Sequence, residues 1–120
     1  MPRFDLRSIV DDYIALGAIN HGSVVVDAMC PPVVGCAPAL WQQTYNSHYT
    51  QAMNSIQETF PGISYTNIYT RTDEFVQPNL DDHGTTSLHG GDGAITNVAI
   101  QEDVGSDLVP HVFVAMRLPA

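Results

Sequence analysis

Ile63-Ser64-Tyr65-Thr66-Asn67-Ile68-Tyr69, running into Thr70-Arg71-Thr72-Asp73-Glu74-Phe75-Val76-Gln77-Pro78, is the stretch on which the fold turns. Its first seven residues are rich in β-formers and read as a strand. The polar run behind them reads as the loop at the carboxyl end of that strand, where parallel sheets collect their functional groups. Beyond Arg71 the chain stays polar and glycine-rich as far as Gly93. Loops of that length are uncommon unless they carry function. Ala94 to Ile100 reads as another strand, Gln101 to Pro110 as an acidic loop, and His111 to Leu118 as a last apolar stretch before Pro119-Ala120.

Upstream of the central stretch, Pro38 is suited to the first turn of a helix. Trp41, Tyr45, Tyr49, Met53, Ile56 and Phe60 follow at steps of four, four, four, three and four, a stripe expected to face the core before Pro61-Gly62 ends the helix. Ser23 to Met29 is β-branched and nearly all apolar, which predicts a strand buried on both faces near the centre of the sheet. In Phe4 to Leu16, the spacing of Leu6, Ile9, Val10, Tyr13 and Ile14 predicts a helix capped by Asp5 and stopped at Gly17.

Helices alternating with strands predict an α/β fold of about three mostly parallel strands with flanking helices, in one partial domain over residues 1–120. Three strands are few for a parallel sheet, which needs both faces covered and its edges managed. The expectation is therefore a partial fold, with association possible through an exposed sheet edge. No repeat or linker divides the chain.

The 120 residues include 13 acidic side chains, 4 arginines and no lysine, for a formal charge of −9. That balance excludes the basic surfaces that hold nucleic acid or anionic membranes. An apolar content of 44% excludes a disordered acidic tail. No stretch approaches the ~20 continuous apolar residues of a membrane span, and the opening Met1-Pro2-Arg3-Phe4-Asp5 does not read as a signal peptide. Cys30 and Cys36 flank Pro31-Pro32-Val33-Val34-Gly35 and read either as a short-loop disulfide or as two buried thiols. Two cysteines alone do not make a structural zinc site.

For chemistry, the pair that stands out is Asp73 and, 38 residues further on, His111. An acid followed by a histidine on successive strand-end loops is how α/β-hydrolases supply two members of a Ser–Asp–His triad. The Gly-x-Ser-x-Gly turn that carries the nucleophile is not found in this sequence. Gly22-Ser23 and Gly105-Ser106 do not match it, and neither Cys30 nor Cys36 has a cationic neighbour to activate it. Asp81, Asp82, His83, His89 and Asp92 make a rival, metal-ligating constellation, but their spacing fits no established pattern and reads as a solvated polar loop. His21 and His48 read as surface or interfacial histidines.

Phe4-Asp5-Leu6-Arg7-Ser8, Pro38-Ala39-Leu40-Trp41-Gln42-Gln43-Thr44 and, above all, Thr66-Asn67-Ile68-Tyr69 leading to Thr72-Asp73-Glu74-Phe75-Val76-Gln77-Pro78 closely resemble the fungal lipase B family of α/β-hydrolases. The resemblance runs from about Phe4 to His111. It implies a partial α/β-hydrolase fold carrying the triad acid, Asp73, and base, His111. It also implies Phe75 and Val76 lining the entrance and alcohol side of the pocket, and Gln43 as a polar residue inside it. No cofactor and no metal are expected. The implied activity is hydrolysis of carboxylic, acylglycerol-type esters by a secreted enzyme through an acyl-enzyme, with an ester or lipid substrate in the complete protein. On this reading the serine and the oxyanion hole lie outside the chain, which is expected to be inactive alone. A non-catalytic interaction module of the same ancestry is the alternative, and a metal-binding loop protein using His83 and His89 is a third.

Overall fold

In a computed structural model, which describes residues 6–105, 107–111 and 114, three parallel strands form one sheet. Strand β1 is Asp12–Leu16, β2 is Ser64–Tyr69 and β3 is Ala94–Ala99, in the order β1-β2-β3. Asp12 lies opposite Ser64 and Leu16 opposite Ile68, while Ser64 pairs with Ala94 and Tyr69 with Ala99. The central strand is thus the one read from Ile63 to Tyr69. Among the described residues four short helices flank the sheet: α1 at Val24–Met29, α2 at Pro38–Gln42, α3 at His48–Asn54 and α4 at Ile100–Val104.

Four expectations fail, the smallest being that Ile100–Val104, read as the end of a strand and the start of an acidic loop, is helix α4. The segment expected as a helix from Phe4 holds a 3-10 turn, Arg7–Ile9, and then β1; Phe4 and Asp5 lie outside the described residues. The helical stripe came from a turn and a strand placed end to end, and the short apolar run Tyr13-Ile14-Ala15-Leu16 was the better signal.

Ser23–Met29, expected as a buried strand, is helical from Val24. Tertiary bonds override the β-preference of the three valines. Ser23 Oγ accepts from Val25 N at 3.2 Å and donates to Phe75 O at 2.5 Å, while Val24 N donates to Gln77 O at 3.0 Å.

The expected long helix from Pro38 to Phe60 is broken. Asn46 turns the chain at φ 53°, and Ser47 caps α3 by accepting from Thr50 N at 3.1 Å. The break rotates the aromatic stripe outward, so Trp41, Tyr45, Tyr49, Met53 and Ile56 are exposed rather than core.

Cys30 and Cys36 form the disulfide. The crossover from β2 to β3 is, as expected, a long loop without regular structure, and it does the covering that a helix does elsewhere. Asn67 Nδ2 on β2 donates to Thr86 O at 2.6 Å, and Asn97 on β3 exchanges hydrogen bonds of 3.1 and 3.0 Å with the backbone of Leu88. Two asparagines thereby lay residues 86–88 against the sheet in place of ridge packing. Leu88 completes one apolar cluster with Ile63 and Tyr65; Ile100, Val109 and Val114 form a second, against Ile68 and Val104.

Both edges of the sheet are unpaired among the described residues. On β1, Tyr13, Ile14 and Leu16 are 42%, 67% and 41% exposed. The Cα radius of gyration is 15.3 Å, with extents of 46 × 44 × 21 Å. A rounded domain of this length has a radius of about 13–14 Å, so the molecule is a slab. No helix among the described residues is long and apolar enough to cross a membrane.

Candidate active site

Asp73 sits in the loop after β2, four residues beyond Tyr69, and is buried at 3% exposure. Its carboxylate is fully engaged. Oδ1 accepts from the backbone N–H groups of Phe75 (2.9 Å) and Val76 (2.7 Å), a tight local turn that fixes the side chain. Oδ2 faces Nδ1 of His111 at 2.7 Å. The two sequence candidates, 38 residues apart, are in direct contact.

Several elements hold His111 there. Thr70 Oγ1 and Thr72 Oγ1 donate to Val109 O, and Val109 N donates back to Thr72 Oγ1 at 3.0 Å. These bonds tie the two strand-end loops together two residues before the histidine. Its own N–H donates to Glu74 Oε2 at 2.8 Å. Gly17, at the end of β1 with φ 58°, approaches so closely that a Cβ there would stand 2.8 Å from Cε1 and 3.1 Å from Nδ1 of His111. The Phe75 ring meets the imidazole edge-on at 6.1 Å between centroids.

This geometry dictates what the pair can do. With Nδ1–H donated to the carboxylate, Nε2 is left as the basic nitrogen of the neutral ring. The side chain of His111 is 30% exposed while that of Asp73 is 0% exposed, so the ring can meet a reacting group and the acid cannot. Proton transfer at Nε2 would leave an imidazolium stabilised by a buried carboxylate 2.7 Å away.

The other sequence candidates divide. Phe75 is 47% exposed beside His111, whereas Val76 is 0% exposed and contributes its N–H to Asp73. Gln43 is exposed at the end of α2, and its carbonyl accepts from Ser23 N at 2.9 Å. Ser23 in turn holds Phe75 O and Gln77 N, so Gln43 joins the Asp73 loop through the backbone.

Sequence reasoning missed Gly17, Glu74 and Gln77, whose Nε2 donates to Asp73 O at 2.5 Å. Gly17 was read only as the stop of the first element, and no signal along the chain points to its close approach to His111. Nearby, burial first and then a 2.5 Å bond to Asp82 push the Tyr69 phenol well above its ordinary pKa. The hydrogen bond to Glu102, 2.5 Å away, raises that of the exposed Arg71 guanidinium.

No family model matches the sequence. The chain is 35% identical over 75 residues to lipase B of Pseudozyma antarctica, a match covering 62% of this chain and 22% of that protein. It superposes on the crystal structure of Aspergillus fumigatus lipase B with a TM-score of 0.69 and 29% identity, over 88% of this chain and 27% of that one. The chain thus spans about a quarter of the length of the relatives it matches. Over that part it is related to fungal lipase B enzymes and has a lipase-like α/β-hydrolase fold.

Proposed function

We propose that the chain is the acid-and-base portion of a serine lipase or esterase acting on carboxylic, acylglycerol-type esters. Asp73 is the triad acid and His111 the base. The serine, whose Gly-x-Ser-x-Gly turn is not among these residues, and the oxyanion-hole donors belong to another part of the complete enzyme. The observation that carries this reading is the 2.7 Å contact between a buried, backbone-saturated carboxylate and an accessible imidazole.

In the proposed reaction His111 Nε2 takes the proton of the serine hydroxyl as that oxygen attacks the ester carbonyl. It then returns the proton to the leaving alcohol, and a water repeats the sequence to release the acid. Asp73 keeps its charge throughout and holds the ring in the Nδ1–H tautomer. Phe75, exposed beside the imidazole, lines the entrance. Gln43 completes the substrate side, as the resemblance implies, whereas Val76, fully buried, supports the site from behind through the N–H it gives Asp73. Secretion and a lipid substrate follow from the same kinship. The reaction needs no cofactor.

Removing the nucleophile of a triad enzyme costs on the order of 10⁶ in turnover, so the chain alone should hydrolyse a short-chain nitrophenyl ester no faster than its His111→Ala variant. Turnover that this substitution abolishes would overturn the assignment of the nucleophile to another segment. The converse test replaces the matching segment of Pseudozyma antarctica lipase B with this chain. A folded chimera that hydrolyses the ester, and loses activity by at least about 10³ with His111→Ala, supports the proposal. A folded but inert chimera contradicts it.

The open β1 edge favours a second reading, in which the sheet serves as an interaction module. Tyr13, Ile14 and Leu16 present exposed apolar surface on a strand whose outer edge has no partner among the described residues. A clean monomer in sedimentation would argue against it.

A further inference from the structure

We propose that His21, Glu58 and His89 form a binding site for a divalent transition-metal ion of the zinc class, separate from the Asp73–His111 pair. One nitrogen of each imidazole and one carboxylate oxygen of Glu58 lie within 4.8 Å of one another. Two histidines and one carboxylate are a donor set that suits zinc, with a fourth position left for water.

The surroundings of these side chains are those of metal ligands. Each imidazole has one ring nitrogen against a backbone carbonyl: His21 Nδ1 against Thr85 O at 3.1 Å, and His89 Nε2 against Gly84 O at 3.0 Å. Donating those N–H groups fixes both tautomers and leaves the other nitrogen of each ring as an electron-pair donor, the arrangement by which outer partners orient metal-bound histidines. On His21 that nitrogen, Nε2, faces Glu58 Oε1 at 2.6 Å. Two electron-pair donors so close need a positive charge between them, which a shared proton or a metal ion supplies. Glu58 is positioned in turn by its other oxygen, which accepts from His89 N at 2.6 Å. The rings of His21 and His89 are stacked, with centroids 4.4 Å apart.

Tetrahedral bonds of about 2.0–2.2 Å place ligand atoms about 3.3–3.5 Å apart. Binding therefore widens the His21–Glu58 contact by less than 1 Å and brings ligand atoms now within 4.8 Å of one another to that common spacing. The side chains of His21 and Glu58 are only 16% and 13% exposed, so two of the three ligands are already held. The ion would join three segments distant in sequence: the turn before α1, the approach to β2, and the β2–β3 crossover that also carries Asp73. His83, with its ring centroid 6.3 Å from that of His89, is outside the set.

Calorimetric titration of the protein with a zinc salt, freed of other metals, tests this. One ion per chain should bind, raising the thermal midpoint. Binding should weaken by at least about tenfold in His89→Ala and in Glu58→Gln, and persist in His83→Ala. Cobalt in place of zinc should give the intense visible bands of a tetrahedral nitrogen and oxygen site. His89 is exposed, so its alanine variant stays folded and decides the matter if Glu58→Gln does not fold. No saturable binding, or binding unaffected by His89→Ala, would overturn the proposal.

Discussion

Gly17 and His111 touch across the mouths of two strand-end loops: a Cβ on Gly17 would stand 2.8 Å from Cε1 of the imidazole. The first strand of the sheet thereby sets one wall for a residue contributed nearly a hundred positions later. Gly17→Ala should displace the ring and also strain a backbone at φ 58°. Gly62 separates the two effects, because it too has a positive φ, 83°, but nothing lies within 4 Å of its Cβ position. Each variant should lose about 1–2 kcal/mol of stability from the backbone, measured by urea unfolding. Only Gly17→Ala should alter the His111 ¹⁵N resonances.

Asp73→Asn tests the carboxylate. One oxygen can still accept from Phe75 N and Val76 N, but an amide NH₂ then faces His111 Nδ1 and favours the opposite tautomer. Stability should fall by about 1–3 kcal/mol. In the lipase chimera, activity should fall by about 10⁴, as expected when the base is held in the wrong tautomer. Retention of full activity would remove Asp73 from the mechanism.

How far all this was legible depends on where each signal resides. Ile63–Tyr69 and Ala94–Ile100 are short, β-rich and flanked by polar runs, and each holds a strand, Ser64–Tyr69 and Ala94–Ala99, although the acidic run from Ile100 turns helical instead of staying a loop. The segment up to Leu16 misled because Leu6, Ile9, Val10, Tyr13 and Ile14 fit a helical spacing across what is a turn followed by a strand. The three valines after Ser23 are helical because Ser23 and Gln77 hold them there, a tertiary cause that local propensity does not carry. Asn46-Ser47 was a readable turn and cap that the regular aromatic spacing masked. Asp73 and His111 stood out by type, order and resemblance. Gly17 and the grouping of His21, Glu58 and His89 depend on contacts between distant segments, and spacing along the chain does not encode them.

Tyr69 makes a pH prediction. Its folded pKa is raised by burial and by the bond to Asp82, so the folded state keeps a phenolic proton that the unfolded chain gives up above about pH 10. The contribution is complete below that pH and is lost as the pH rises toward the higher folded value. The stability advantage of the parent over Tyr69→Phe should therefore shrink above about pH 10, read from urea midpoints across the alkaline range. A constant difference would contradict the assignment.

The Cys30–Cys36 bridge closes a loop of sequence separation 6. The chain-entropy relation gives such a loop about 2 kcal/mol. Replacing both cysteines by serine should lower stability by about that amount without altering the His111 resonances, since the residues holding that ring lie in other segments. A change in the His111 resonances on this replacement would contradict that independence.

The measurement closest to the central claim is a long-range ¹H–¹⁵N correlation spectrum of histidine-labelled protein, at a pH where the ring of His111 is neutral. The predicted result is a ring protonated at Nδ1 and unprotonated at Nε2, a preference that Asp73→Ala abolishes. A His111 ring protonated at Nε2, unchanged by that substitution, would mean that Asp73 does not prepare this histidine to act as a base.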